Sequence, residues 1–326
     1  MNSGFRWLTS AIRTTAILGL VSAQVLFNPA QASEENPGFV QQTINAFESS
    51  DFRFQRGISH VPFPPIAFLT GTHYSDIEIE AEGKDSLKYD VDRFSQMAAV
   101  PFLLGKRDAV FVGEYVSRSD FSFSDGRDDV GVTSIGLPVG WIRQVNPEWQ
   151  TAAFVMPLGH DSDMPGSDWD WQYLGGAFAR YVQSDTLWWA FGLYADVGGS
   201  GDDFYIPYLG ASWTIDESWT ISAVMPWPAI LYAPNDRWMV RLGVSPSGAS
   251  WSVDSESQNV AVNLDGWDVG LGVEYRLAGS FWLGARAGYG GLRGLRLEDS
   301  EVEEPDLDFG SSAFVGLQLN FRPAAL

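Results

Sequence analysis

The chain has 326 residues, no cysteine, and 20 lysines and arginines against 41 aspartates and glutamates. A net charge of −21 repels nucleic acid, and without cysteine there is no disulfide scaffold, thiolate metal site, cysteine nucleophile or lipidation at an N-terminal cysteine. With 14 Trp and 34 Gly, the composition suits a β-sandwich lectin or a membrane barrel and not a typical α/β enzyme.

Residues 1–32 read as a secretory signal peptide. Arg6 and Arg13 precede an apolar run from Ala16 to Phe27, and Ala30-Gln31-Ala32 supplies the small-residue cleavage site. The run is too short to span a bilayer, and cleavage after Ala32 leaves 18 basic against 41 acidic side chains, a net of −23. No later segment offers 18 uninterrupted apolar residues, so no transmembrane helix is expected. Residues 33–68 carry Pro62, Pro64 and Pro65 without a clean period; they read as an N-terminal extension with a short helix around Phe39–Phe47.

From 69 to 326 the chain reads as one domain of strand, turn, strand and loop. About 14 strands are predicted, near 70–80, 88–104, 109–123, 131–145, 150–158, 169–182, 186–197, 204–215, 218–226, 228–233, 237–245, 265–277, 281–292 and 309–322. The hairpin in 223–234 is the weak element, because its prolines remove ladder donors; without it the count is 12. Several strands alternate cleanly. Trp238, Val240, Leu242 and Val244 interleave with Arg237, Met239, Arg241 and Gly243, and Val269 to Leu277 interleaves apolar residues with Gly270, Gly272, Glu274 and Arg276. The second face favours Gly, Ser, Tyr, Gln and a few Arg with little Lys, which suits a crowded polar interior better than a solvent-washed sandwich face.

The punctuation between strands is asymmetric. Short turns lie at 105–108, 145–149, 183–188, 215–219, 233–238 and 277–282, and five of the six end on Trp149, Trp188, Trp219, Trp238 or Trp282. Longer acidic loops are expected at 159–170, 196–203, 245–266 and 296–308. Short turns at one end, long loops at the other and tryptophans at the short-turn rim describe a transmembrane antiparallel up-and-down β-barrel. The five tryptophans are the expected membrane-interface aromatics, with short periplasmic turns and long extracellular loops. A soluble core is the competing reading for them.

The segments LPVGWIRQVNPEWQTAAFVMPLG (137–159), FYIPYLGASWTIDESWTISAVMPWP (204–228) and DRWMVRLGVSPSGASW (236–251) resemble a family of Gram-negative outer-membrane β-barrels known only as a domain of unknown function. That resemblance covers roughly 69–322; it implies a fold and an outer-membrane location and carries no activity or catalytic residues. The ending FVGLQLNF (314–321) is similar to the assembly signal of barrel proteins, with Gly316, Leu319 and the terminal aromatic Phe321 in place. It departs at Phe314, where a polar residue is usual, and in the added RPAAL. The likeness implies recognition by the barrel-assembly machinery.

Chemistry is sparse. His60 lies in the extension, His73 near the first strand, and His160 opens an acidic loop with Asp161, Ser162, Asp163 and Ser167. An acid-His-Ser hydrolase or a divalent-ion site is conceivable there; a solvated loop is the default, because sequence adjacency does not set triad geometry. The acids of 298–308 lack EF-hand spacing and would at most hold Ca²⁺ or Mg²⁺ weakly beside lipopolysaccharide. No resident cofactor is expected.

Alternation puts Arg237, Arg241, Glu274, Arg276 and Arg286 on one inward wall, with Glu114 and Arg180 as candidates to join it. Glu274 and Arg286 should be diagonal neighbours. A neutralising lattice and a basic strip that admits small anions are both open. Three functions follow: a small porin-like diffusion channel or transport pore with an Arg/Glu-lined lumen, a non-conducting structural or surface-interaction barrel, or a lipid-active enzyme centred on His160.

Overall fold

The computed structural model describes residues 39–53, 58–81, 87–126, 128–164, 167–198, 203–255, 258–298, 307–309 and 312–322. The expected signal segment 1–32 and residues 299–306 of the acidic loop lie outside the described residues. Two compact units divide the chain, residues 1–50 and 51–326. In the first, α1 (Phe39–Glu48) forms where a short helix was expected, and Ser49 N–H closes its last turn on Asn45 O at 3.1 Å. The second unit takes residues 51–66 along with the sheet, so the expected extension 33–68 is divided between the two.

The sheet is a closed, antiparallel, 14-stranded ring. Its first members are β1 (Ala67–Ala81), β2 (Leu87–Leu104) and β3 (Asp108–Phe123). One wall position is shared by β4 (Val130–Gly136) and β5 (Val139–Gln144), which split at Pro138 while both pair with β3 and with β6 (Trp149–Ser162). Then come β7 (Asp170–Val182), β8 (Leu187–Gly198) and β9 (Phe204–Thr214). The ring continues through β10 (Trp219–Ser222), β11 (Ala229–Asn235), β12 (Trp238–Ser255), β13 (Gln258–Ala278) and β14 (Phe281–Glu298). A short β15 (Leu307–Phe309) caps β1, and β16 (Ser312–Phe321) closes the ring between β14 and β1 with Ala67 opposite Phe321. Closure removes free edges, the condition for crossing hydrocarbon with strands.

The tight turns are fixed by local chemistry. Asn146 Oδ1 accepts the N–H groups of Glu148 and Trp149, both at 2.9 Å, and Asp216 Oδ1 accepts those of Ser218 and Trp219, both at 2.8 Å. Gly105 and Gly279 supply positive φ angles of 82° and 54° in two others. Each such turn restarts the next strand with an outward residue.

One prediction fails, and the weakest of the predicted hairpins holds in a shortened form. The loop expected at 245–266 is a continuation of β12 and β13, paired from Ser245–Asp268 to Ser255–Gln258. Trp251 and Val253 oppose Val262 and Val260, an alternation that turn-like Ser, Gly and Asp residues conceal. The weak hairpin at 223–234 does form, but β10 has 4 residues and β11 has 7, short of the roughly ten that cross a bilayer core. Its connection turns inward, with Val224 and Pro226 buried. Among the described residues, β9 before Leu209 pairs only with β8, and β12 beyond Val244 pairs only with β13, so the wall is low between them.

Apolar side chains cover the outer face. Leu209, Trp213, Leu242, Leu271, Leu283, Val315 and Leu317 are all exposed there, while the chain neighbours Ser212, Trp282 and Phe314 are buried inside. The alternation read from the sequence therefore sorts lipid-facing from enclosed residues.

Candidate functional site in the barrel interior

The interior is built from two dissimilar walls. On one side, rows of inward residues from β12, β13, β14, β16 and β1 bring charge together. Glu274 and Arg322 are 7% and 8% exposed and form an ion pair at 2.8 Å; Asn320 Nδ2 donates to the same carboxylate at 2.9 Å. Arg322 Nη1 also donates to Phe63 O at 2.7 Å. Nearby, Tyr74 O–H donates to Asp268 at 2.7 Å, and Arg286 donates to Thr72 Oγ1 at 2.6 Å with its guanidinium 5.4 Å from the Phe314 ring. Gly316 makes room for this, since a Cβ there would lie 3.1 Å from Arg286 Nε.

Of the seven charges assigned to the lumen, Arg241, Glu274 and Arg286 share this wall. Arg241 and Arg286 lie in one cross-strand row with Gly272 between them. Glu274 is diagonal to Arg286, as its opposition to Gly284 requires, yet its ion partner is Arg322. Arg276 stays at the short-turn rim, donating to Gly279 O at 2.5 Å, and Arg180 lies on the far side of the ring. Arg237 and Glu114 do not belong inside. Arg237 is an exposed turn residue, and Glu114 shares the outward face with Val112, accepting from Gln96 Nε2 at 3.4 Å. Glu114 is a matter of strand parity, which a few residues of uncertain strand start invert, whereas Arg237 has the parity of Arg241 but precedes the first residue of β12.

Arg322 went unread in the sequence. Its signal was present, because Gly316, Gln318, Asn320 and Arg322 continue one inward series past the terminal aromatic.

The opposite wall, from β6 to β9, is aromatic. Phe154 stacks on Phe178 with centroids 5.9 Å apart, and Phe178 meets Tyr208 edge-on at 4.7 Å. Trp227 from the inward-turning 223–228 segment approaches Tyr208 at 6.0 Å and Tyr194 at 6.4 Å. Together with Arg180 and Trp188 they line a cavity of about 400 Å³.

The expected interface aromatics divide. Trp149, Trp219 and Trp238 are exposed on the outer face at the short-turn end, each against a cross-strand tyrosine: Tyr181, Tyr232 and Tyr275 respectively. Trp188 and Trp282 are corrected to the interior. Trp188 shares the face of fully buried Ala190, and Trp282 is 4% exposed in a cluster with Val61, Ala233 and Met239. The outward aromatics at those turns are their neighbours, Trp189 and Phe281. Gly316 faces inward on β16, whereas Leu319 and Phe321 lie on the alternate face.

His160 is also displaced from its expected loop. It lies in β6, 3% exposed, with Nδ1 2.7 Å from Ser134 Oγ and Nε2 against Gln172 Oε1 at 2.5 Å. Gln172 Nε2 donates in turn to Asp196 at 2.9 Å. If Gln172 accepts from Nε2–H, Nδ1 is left to accept the serine proton. The residue types are those of a hydrolase relay, but Ser134 is as closed off as His160, so the chain links four strands and offers no approach to substrate. Asp163 instead anchors the outer loop, accepting Arg118 Nη2 at 2.7 Å and Gly131 N–H at 2.6 Å. Among the described residues, no group of three or more His, Asp or Glu is arranged to hold a metal ion.

The chain before β1 crosses the short-turn end. Asp51 meets Arg107 at 2.7 Å, and Arg53 N–H donates to Gln144 Oε1 at 3.1 Å. His60 lies 3.1 Å from Asp236, Val61 enters the Trp282 cluster, and Ile66 N–H donates to Phe321 O at 3.0 Å. β12 and β6, which are not neighbours in the ring, approach each other at some point along their lengths.

The outer membrane protein beta-barrel domain matches residues 135–321. No curated protein sequence matches the chain. Among solved structures, similarity extends to the CymD monoaromatic hydrocarbon channel at 10% identity, covering 87% of this chain and 93% of that one with a TM-score of 0.43. A Pseudomonas aeruginosa FadL homologue is 11% identical over 78% and 90%, TM-score 0.44. The translocator domain of the autotransporter NalP from Neisseria meningitidis is 12% identical over 86% and 94%, TM-score 0.37.

Proposed function

Since the chain belongs to the outer membrane protein beta-barrel domain family, we propose that its interior is a narrow diffusion path for small solutes, biased toward anions. The observation that carries this reading is a set of interior cations with no carboxylate in ion-pair range. Glu274 is neutralised by Arg322, whereas among the described residues no ion pair reaches Arg180, Arg241 or Arg286. Cations left without a carboxylate must be hydrated or meet a mobile anion, and water in the lumen serves both.

Proteoliposomes holding the refolded protein should swell faster in small anionic than in small cationic solutes, and Arg241→Gln with Arg286→Gln should remove the preference. Equal rates in the wild type would dismiss the anion bias, and no swelling at all would dismiss the path. A non-conducting structural barrel is the second reading. It is favoured by the chain crossing the short-turn end, where Val61 packs against Trp282 and Met239.

The same family supports an outer-membrane setting, and the roles that go with it are proposed here. Residues 1–32 would direct export; the outward Trp149, Trp219 and Trp238 would lie in the membrane interface; and Leu319 and Phe321 with Gly316 would present the closing strand to the barrel-assembly machinery. Lipid and lipopolysaccharide are the expected outer partners, with the acids of 298–308 available to weakly held Ca²⁺ or Mg²⁺. No enzymatic role is proposed.

A further inference from the structure

We infer that the cavity beside Arg180 is a binding site for a small amphipathic anion, one with a flat apolar body and a single negative group. Its walls are Phe154, Phe178, Trp188, Tyr208 and Trp227, and its volume of about 400 Å³ lies toward the lower end of small-ligand sites. One cation is built into it. The Arg180 guanidinium lies 5.1 Å over the Trp188 ring, and its Nε is buried without a hydrogen-bond partner.

The two features select together. Stacked and edge-on rings offer faces and edges to a planar apolar body, and such ring contacts stabilise beyond the area they bury. A neutral ring of that kind would leave the arginine unpaired. A carboxylate would take the guanidinium's fork as a charge-assisted pair, on a side chain whose Nε is already shut off from water. A small inorganic anion would meet the charge but leave the aromatic surface wet. Only a molecule with both parts satisfies both walls. The position fits capture within the pathway: Gln150, Arg180 and Trp188 are all close to short turns, and Trp227 comes from the inward-turning segment at the low part of the wall.

The test is calorimetric titration of the refolded protein in detergent with 2-naphthoate, and with 2-naphthalenemethanol as its neutral counterpart. The wild type is expected to bind the carboxylate at least tenfold more tightly than the alcohol. Arg180→Gln should weaken 2-naphthoate at least tenfold and leave the alcohol unchanged, and Trp227→Ala should weaken both. Equal affinity of the wild type for the two probes, or 2-naphthoate binding that survives Arg180→Gln, would overturn the assignment. If Arg180→Gln does not refold, as read by loss of heat-modifiable migration, the wild-type comparison of the two probes alone decides. The inference rests on solute reaching the interior, yet its failure is separate. A barrel that passes solutes but ignores 2-naphthoate loses only this site, and one that binds 2-naphthoate without passing solutes loses only the path.

Discussion

Glu274 has three donors converging on one carboxylate, and that makes it the most costly side chain to disturb. Replacing Arg322 by Met leaves a buried carboxylate without its ion partner, a loss of about 3–5 kcal/mol. Urea unfolding of the refolded protein, followed by heat-modifiable migration, should show it; an unchanged midpoint would mean that the carboxylate is hydrated in place. Gln172→Leu interrupts the Ser134–His160–Gln172–Asp196 chain and removes the partner of the buried His160 Nε2, for about 1–3 kcal/mol in the same measurement. At this scale the sequence was legible only as far as strand parity was. Arg241, Glu274 and Arg286 were placed correctly because their strands alternate without interruption. Glu114 was not, because the parity of its strand was misread, and Trp188 and Trp282 were not, because they were placed by their position at the end of a turn and not by alternation, which on β14 puts Trp282 on the same inward face as Arg286. The aromatic cavity was hidden for another reason: Phe154, Phe178, Tyr208 and Trp227 come from four elements, and only the register between neighbouring strands and the inward turn of 223–228 bring them together.

Element lengths govern what the wall can do. β12 has 18 residues and β13 has 21, whereas the hairpin next to them has 4 and 7. The prolines of 223–234 signalled that weakness, since each removes a ladder donor. Gly210 permits the inward turn, because a Cβ there would overlap the Ala223 carbonyl. Gly210→Val should therefore displace the 223–228 segment and move Trp227 off the Tyr194 and Tyr208 rings, as read by aqueous quenching of the emission difference between otherwise identical proteins with and without Trp227→Phe. No change in quenching against the wild type would contradict the packing. The strap before β1 makes a stronger prediction. Val61→Asp places a charge into the cluster of Ala233, Met239 and Trp282 and should release that segment from the short-turn end. Swelling rates should then rise at least severalfold; a rate equal to the wild type would show that the strap does not limit passage.

At the scale of the molecule, the ring order follows from a run of hairpins between neighbours in sequence, closed by β16 against β1. That much was visible in turn spacing and in period-two alternation, which is why a ring of about fourteen strands, twelve without the proline-bearing hairpin, and its closing strand were legible in the sequence. What sequence could not supply was the filling of the lumen, because it depends on which inward rows meet across the ring. The sorting of faces is the premise under every functional statement above. It can be tested directly, since the chain has no native cysteine. Single cysteines would be placed one at a time at Arg241, Leu242, Gly272, Leu271, Gly284 and Leu283, and the refolded protein in lipid vesicles exposed to a membrane-impermeant thiol reagent and, separately, to a lipid-borne nitroxide that quenches an attached fluorophore. Cysteines at 242, 271 and 283 should be quenched from the lipid and resist the aqueous reagent, while those at 241, 272 and 284 should escape the quencher. Equal aqueous labelling of both series, with no lipid quenching at either, would contradict a membrane-embedded barrel with an enclosed interior.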